Sequence, residues 1–299
     1  MAERIKKEMV YLILHYNTSE DTRACVASVR ETEAWAESAI VIVDNGSPDG
    51  SGETLKAEYA DDPAVTVLLN GTNAGFSAGN NAGYRYIRER FDAAFLTVCN
   101  NDVVFPEKDY TEKVRRIHGE TPFAVLGPDI WNPRLGIHQN PLGTKSPDER
   151  AVRRTIRLNR AADFCFPLFW AVAGKKDAEK RLGNRKDSVE NPGDRMEDVP
   201  LMGACLILSR EFMQVKETLF EPETFLYYEE YLLYNYCRRS GMKILYRPEI
   251  RVEHFEGKAT DTLSGNGKDR YRRMVKHMLA AARIYLKDLQ ENAGGSQER

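Results

Sequence analysis

The sequence predicts an α/β protein with a mostly parallel central sheet, helices on both of its faces and a helical C-terminal extension. Three observations predict it. Short, near-continuously apolar runs alternate with helical patterns over the first hundred residues, and such runs belong to strands buried on both faces. Three of those runs end in polar side chains, as strands do whose carboxyl ends meet a ligand. A single amphipathic pattern, Asp269 to Leu289, stands apart near the end of the chain.

The elements follow in order. Met9 to Leu14 reads as the first strand, closed by His15, Tyr16 and Asn17. Ser19 is placed to cap a helix reaching about Glu33, with Glu20 and Asp21 at the positive end of its dipole. Ala39 to Val43 is a second strand, ending at Asp44, Asn45, Gly46 and Ser47, and Gly52 to Tyr59 a second helix. Val65 to Leu69 is a third strand. Asn70 to Asn81 reads as a Gly/Asn-rich loop that runs into a helix through Arg90, and Ala93 to Val98 as a fourth strand. Beyond it the pattern is less regular. Pro106 to His118 is helical, Ala124 to Gly127 a strand, Pro128 to Arg150 a punctuated loop and Arg150 to Arg160 a basic helix. Asp177 to Asp198 reads as a mobile polar loop. Leu201 to Leu208 is a strand or strand pair, and a helix from about Tyr231 to Ser240 is ended by Gly241. Lys243 to Tyr246 and Arg251 to His254 read as two short strands, and the last ten residues as a disordered tail.

At 299 residues the chain suits one large domain or two modest ones. With 43 basic and 45 acidic residues the net charge is -2, so no global field argues for nucleic acid. No apolar run has the ~20 residues needed to span a bilayer, and no ordinary signal peptide is visible. The five cysteines, Cys25, Cys99, Cys165, Cys205 and Cys237, lack zinc-ligand spacing. They read as inert thiols in a reduced, cytoplasmic setting.

The chemistry is concentrated at the strand ends. In FLTVCNNDVVF, Phe95 to Phe105, an apolar strand stops on Asn100, Asn101 and Asp102. A carboxylate flanked by amides suits a hard cation bridging to phosphate oxygens. Asp44 either accepts from an N–H of a ligand or closes an Asx-turn before Gly46. In Asn73 to Gly83, the glycines Gly75, Gly79 and Gly83 let backbone approach something closely, and Asn73, Asn80 and Asn81 bring amides that donate and accept. The helix that follows offers its N-terminus to a phosphate. The spacing is neither the dinucleotide fingerprint nor a P-loop. Glu229 and Glu230 sit among aromatics near a helix start. Burial and like charge would raise a pKa there and the helix dipole would lower it, and the sequence leaves the sign open. His254 closes the last short strand, a structural position unless a metal lies nearby.

Taken in order, these segments resemble family 2 glycosyltransferases of the GT-A fold, over about Met9 to Gly257. The matching pieces are LILHYN, VIVDNGSPDGS, NAGFSAGNNAGYRYI, NNDVVF, LMGACLILSREFM, FLYYEE and GMKILYRPEIRVEH. The likeness is nearest to rhamnosyltransferase-like and bacterial polysaccharide-assembly members. It implies a catalytic domain over 1–258, with a nucleotide-sugar half at about 1–105. The acceptor half, about 106–258, would carry a basic and aromatic insertion at about 145–198, and 259–299 would form a helix and tail. By the resemblance, Tyr16 and Asn17 line a nucleobase pocket and Asp44 accepts from the base. Asn73, Gly75, Gly79 and Asn80 cradle ribose and diphosphate. Asp102 and His254 bind a divalent cation, Mn2+ or Mg2+, with Asn100 or Asn101 in the outer part of that motif. Glu230 is the catalytic base, with Glu229 its alternative.

The implied activity is inverting, metal-dependent transfer from a UDP-sugar or dTDP-rhamnose to a glycan hydroxyl, on a lipid-linked acceptor in cell-surface polysaccharide synthesis. Two departures from the family pattern keep a second reading open. Asn-Asn-Asp offers one carboxylate where the family has two, and Glu-Glu replaces Glu-Asp, as in a nucleotide-sugar-binding or partner-dependent subunit. A nucleotidyltransferase is disfavoured, because HYNTSED lacks the Gly-rich, basic loop usual after its first strand. The basic RAVRRTIRLNR and aromatic FCFPLFWAV, about 150–176, suit either peripheral contact with the inner face of a membrane or packing on protein. A homo-oligomer is also open.

Overall fold

The computed structural model of the protein describes residues 3–166, 192–255 and 267–292. One sheet organises them. Strands β1 (Ile5–His15), β2 (Ser38–Asp44), β3 (Val65–Leu69) and β4 (Phe91–Asn100) lie in the order β3-β2-β1-β4, all parallel. The sheet continues through β9 (Cys205–Ser209), β6 (Val125–Asn132), β10 (Ile244–His254) and β5 (Val103–Val104). Here the expectation of a mostly parallel sheet holds only in part. β9 runs antiparallel between β4 and β6, and β5 runs antiparallel on β10, while β6 and β10 are parallel. Two-residue strands β7 (Ile137–His138) and β8 (Met196–Glu197) pair antiparallel with β6 and β10.

Strand alternation builds two core layers, because successive side chains point to opposite faces. Met9, Tyr11 and Ile13 pack with Cys25, Val26 and Val29 of α1 (Ser19–Arg30) and Val114 and Ile117 of α4 (Tyr110–Glu120). Val10 and Leu12 pack on the other face with Tyr84 and Ile87 of α3 (Phe76–Arg90). Helix α2 (Ser51–Glu58) joins β2 to β3, and α6 (Arg210–Val215) follows β9.

Three expectations change. Helix α3 starts at Phe76, so Gly79, Asn80, Asn81 and Gly83 belong to a helix and not to a loop. A side chain at Gly83 would collide with Leu12 and Val43, and one at Gly79 would lie 2.7 Å from Leu14. These glycines bring α3 down onto the sheet. Ile244 to His254 is one strand, where two were expected: a register shift between Arg247 and Arg251 absorbs Pro248. Ser19 does not cap α1. The cap residue is Thr18, at φ 41, with no side-chain cap bond.

A third cluster lies beside the sheet. Val152 and Ile156 of α5 (Glu149–Phe164) pack with Tyr228, with Leu232 of α7 (Glu229–Arg239), and with Leu279, Ala281, Ala282 and Tyr285 of α8 (Gly267–Glu291). Arg239 on α7 pairs bidentately with Asp288 on α8, at 3.0 Å for each bond. The packing of α5 on protein is therefore seen. Residues 167–176 of the basic and aromatic segment, 177–191 of the polar loop and 293–299 of the tail lie outside the described residues.

Candidate active site

The carboxyl ends of β1, β2 and β4 lie side by side, in the registers His15 to Asp44 and Leu14 to Asn100. His15 is buried between Thr22 Oγ1 at 2.7 Å and Ser51 Oγ at 2.9 Å, which ties α1 and α2 to this edge. Burial pushes its pKa down, against the opposing charge of Asp44.

After Asn100 the chain turns into β5, which pairs His254 with Val103. That pairing brings Asp102 Oδ1 to 3.2 Å from His254 Nε2. The two residues are 9% and 2% exposed. Burial raises the Asp102 pKa, but the charge and hydrogen bond of His254 outweigh it and hold the carboxyl below its ordinary value. His254 Nδ1 lies 2.7 Å from Gln139 Oε1. An amide oxygen only accepts, so Nδ1 carries the proton and donates. The ring then presents Nε2 to Asp102, with Asn100 Nδ2 at 3.4 Å. Among the described residues no group of three His, Cys, Asp or Glu side chains could hold a metal ion. Asp102 and His254 offer a carboxylate oxygen and an imidazole nitrogen, a pair of donors that suits a divalent transition ion better than an all-oxygen one.

Asn101 faces elsewhere. Its Nδ2 donates to Thr18 Oγ1 at 2.9 Å and Thr22 Oγ1 at 3.0 Å, fastening the end of β4 to the turn after β1. In that turn Asn17 has φ 56, and its N–H donates to Ser47 Oγ at 2.8 Å. Tyr16 beside it is half-buried. Ser47 donates to Asp44 from both its N–H, at 3.2 Å, and its hydroxyl. Asp44 thus closes a turn on Ser47, three residues on and not two as in an Asx-turn, and Gly52 of α2 packs so closely that a side chain there would collide with Asp44.

The glycine-rich segment is bonded internally. Asn45 Nδ2 donates to Asn73 Oδ1 at 3.2 Å and Gly75 O at 3.1 Å, while Asn45 Oδ1 accepts from Asn70 and Ala74. Asn73 Oδ1 also accepts from Gly75 N at 3.0 Å. The first N–H of α3, on Phe76, donates to Phe225 O at 2.7 Å. That donor, expected to be open to a phosphate, is taken by the chain itself. Asn80 donates to Phe76 O at 3.0 Å, while its Oδ1 is buried and unmatched among the described residues.

Glu229 and Glu230 open α7, behind Tyr227 and Tyr228 at φ 76 and 69. Both carboxylates are buried, and their surroundings differ. Glu229 Oε2 accepts from Thr224 Oγ1 at 3.0 Å, and Thr224 Oγ1 lies 3.2 Å from Ser77 Oγ on α3. Burial, then the charge of Glu230, pushes Glu229 up to about 8. At Glu229, desolvation prevails over the helix dipole. Glu230 lies over Gly203, where a Cβ would come within 3.2 Å of its Cγ and 3.3 Å of its Oε1. Among the described residues its carboxylate takes no hydrogen bond. The next residue, Ala204, accepts from Asn100 N at 3.0 Å, so Glu230 stands at the same edge as the Asn-Asn-Asp turn.

A sequence model described as "Glycosyl transferase family 2" matches residues 11–173, more than half of the chain. The chain belongs to glycosyl transferase family 2. It is 26% identical over 237 residues to the low-salt glycan biosynthesis hexosyltransferase Agl10 of Haloferax volcanii, covering 79% of this chain and 64% of that one. It is 35% identical over 79 residues to the undecaprenyl-phosphate mannosyltransferase of Micrococcus luteus, covering 26% of this chain and 32% of that one. The chain thus spans less than two thirds of the length of these curated relatives. Among solved structures it is similar in fold to the mannosyltransferase PcManGT of Pyrobaculum calidifontis, a complex with GDP-Man and Mn2+. The TM-score is 0.52 at 12% identity, over 98% of this chain and 76% of that one. The arrangement is that of GT-A enzymes.

In this family 2 chain, three residues that organise the site escaped the sequence reading. Asn45 was visible only as the residue after Asp44, Gln139 lay inside a segment read as loop, and Gly203 lay inside a segment read as strand. Their partners are distant in sequence, so nothing local marks them.

Proposed function

We propose that the chain transfers a sugar from a nucleoside-diphosphate sugar, a UDP-sugar or dTDP-rhamnose, to a hydroxyl of a lipid-linked glycan acceptor, with inversion. The catalytic domain is 1–258, working in the cytoplasm at the inner face of a membrane. Family membership supports sugar transfer. The observation that carries the site assignment is the convergence on one strand edge of Asp102, His254 and Glu230, whose carboxylate has no hydrogen bond among the described residues.

Asp102 and His254 hold the divalent cation, which when bound offsets charge on the donor diphosphate. Asp44, Asn17 and Tyr16 flank the place of the nucleobase, and Asn73, Asn80 and Asn100 line the way to the diphosphate. The acceptor oxygen attacks the anomeric carbon from the face opposite the diphosphate. As that bond forms, the bond from the anomeric carbon to the diphosphate oxygen breaks. Glu230 takes the acceptor hydroxyl proton, because its carboxylate has no hydrogen bond among the described residues, whereas Glu229 is bonded to Thr224 and drawn toward its neutral form. Glu229 is a positioning residue.

The test is nucleoside-diphosphate release with candidate donors, Mn2+ and an acceptor glycan. Glu230→Gln should lower turnover about 10²- to 10⁴-fold while donor binding by calorimetry stays near wild type. Asp102→Asn should weaken the Mn2+-dependent part of donor binding. Turnover of Glu230→Gln within about tenfold of wild type, less than ~1.4 kcal/mol of barrier, would show the base is another group.

A further inference from the structure

Helix α5 has two unlike faces. Val152 and Ile156 are buried in the cluster with α7 and α8. At about 100° per residue, Arg150, Arg154, Arg157 and Leu158 lie opposite that pair, while Arg153, Arg160 and Phe164 flank it. All are exposed, Phe164 by 90% and Leu158 by 56%. Among the described residues, Arg153 alone of these five arginines has an acidic partner, Glu149 at 2.6 Å. Helix α8 lies antiparallel beside α5. Gln290 near its end donates to Glu149 at 3.1 Å, and Tyr271 near its start stacks on Phe166 with ring centroids 6.1 Å apart. Its exposed stripe carries Arg272, Lys276, Arg283 and Lys287 at helical spacing. This helix pair is therefore basic within a chain of net charge -2.

We propose that the outer face of α5 and α8 docks on an anionic lipid bilayer. Charge complementarity selects this occupant. A second copy of the chain would bring like charge against like charge. Lipid phosphates accept the guanidinium fork, and the headgroup boundary takes the exposed Phe164 and Leu158, apolar side chains that water leaves unsatisfied. A nucleic acid would satisfy the arginines but offers nothing to Leu158. The buried side of the pair reaches the site: Tyr228 and Leu232 pack against it, and His277 of α8 stacks on Phe225 at 4.2 Å. This inference stands on the helix pair alone and does not depend on sugar transfer.

The experiment is flotation of the full chain with phosphatidylcholine vesicles, with and without phosphatidylglycerol, at low and high salt. Binding is expected only with phosphatidylglycerol and should fall steeply with salt. Arg154→Gln with Arg157→Gln should weaken it about 25-fold, at about fivefold per cation. Phe164→Ser should weaken it further without changing the circular dichroism spectrum. Equal binding to neutral vesicles, no binding to anionic ones, or tighter binding to single-stranded RNA at matched phosphate concentration would each overturn the proposal.

Discussion

Gly75→Ala should destabilise the fold and disable the site together. Gly75 has φ 92 and ψ 176, a region essentially closed to residues with a Cβ, where strain is about 1–3 kcal/mol. The added Cβ would lie 2.5 Å from Phe225 O and 2.6 Å from Phe225 Cα. Both are backbone atoms, so no rotamer relieves the clash, and overpacking of this kind costs about 1–3 kcal/mol. The sum is about 2–6 kcal/mol, a large part of the ~5–15 kcal/mol that holds a domain folded. The displaced group is the carbonyl that accepts from Phe76, one residue after the Thr224 that holds Glu229. Turnover should therefore fall by more than the folded fraction does. Gly71→Ala is the control, because a Cβ there meets nothing within 4 Å. Urea titration followed by circular dichroism gives the stabilities, and nucleotide release at low denaturant gives the activity. If the two alanine variants agree within about 0.5 kcal/mol, the threshold for ordinary surface changes, the reasoning fails.

Two further outcomes are expected. Glu229 is held above its ordinary value by burial, so its contribution to stability is whole at acidic pH and is lost as pH rises from the usual glutamate range to about 8. Glu229→Gln keeps the Thr224 bond without this titration, so urea melts should show it gaining on wild type across that window, by at most about 1.4 kcal/mol per pH unit. A constant difference between pH 5 and 8 would contradict the shift. Gln139→Leu removes the acceptor that orients His254. Mn2+ binding measured by electron paramagnetic resonance should weaken about 10- to 100-fold with little change in melting temperature, and an unchanged affinity would remove Gln139 from the site.

The parallel half of the sheet was legible because its strands are continuous apolar runs. Val65 to Leu69 has the predicted bounds, and β2 differs by one residue at each end. The start of α3 was misplaced because glycine weighs toward loop, yet Gly79 and Gly83 are four apart and so share one helix face, the one packed on the sheet. The antiparallel setting of β9 carries no local mark, since a buried strand has the same composition in either direction. The site was legible as residue types at strand ends. Its assembly was not: Asp102 and His254 meet through a two-residue strand that pairs residues far apart in sequence, and the charge state of Glu229 follows from burial that only the packed structure defines.

Phe225 has a consequence larger than its chemistry. Its carbonyl holds the first turn of α3, its ring stacks on His277 of α8, and its neighbour Thr224 grips the glutamate that opens α7. Three helices from separate stretches of chain are keyed to one exposed aromatic residue. A change at the far end of the protein that tilts α8 would therefore be felt at the glycine-rich turn and at the glutamate pair together. The three helices therefore share one mechanical joint, and their positions are coupled through it.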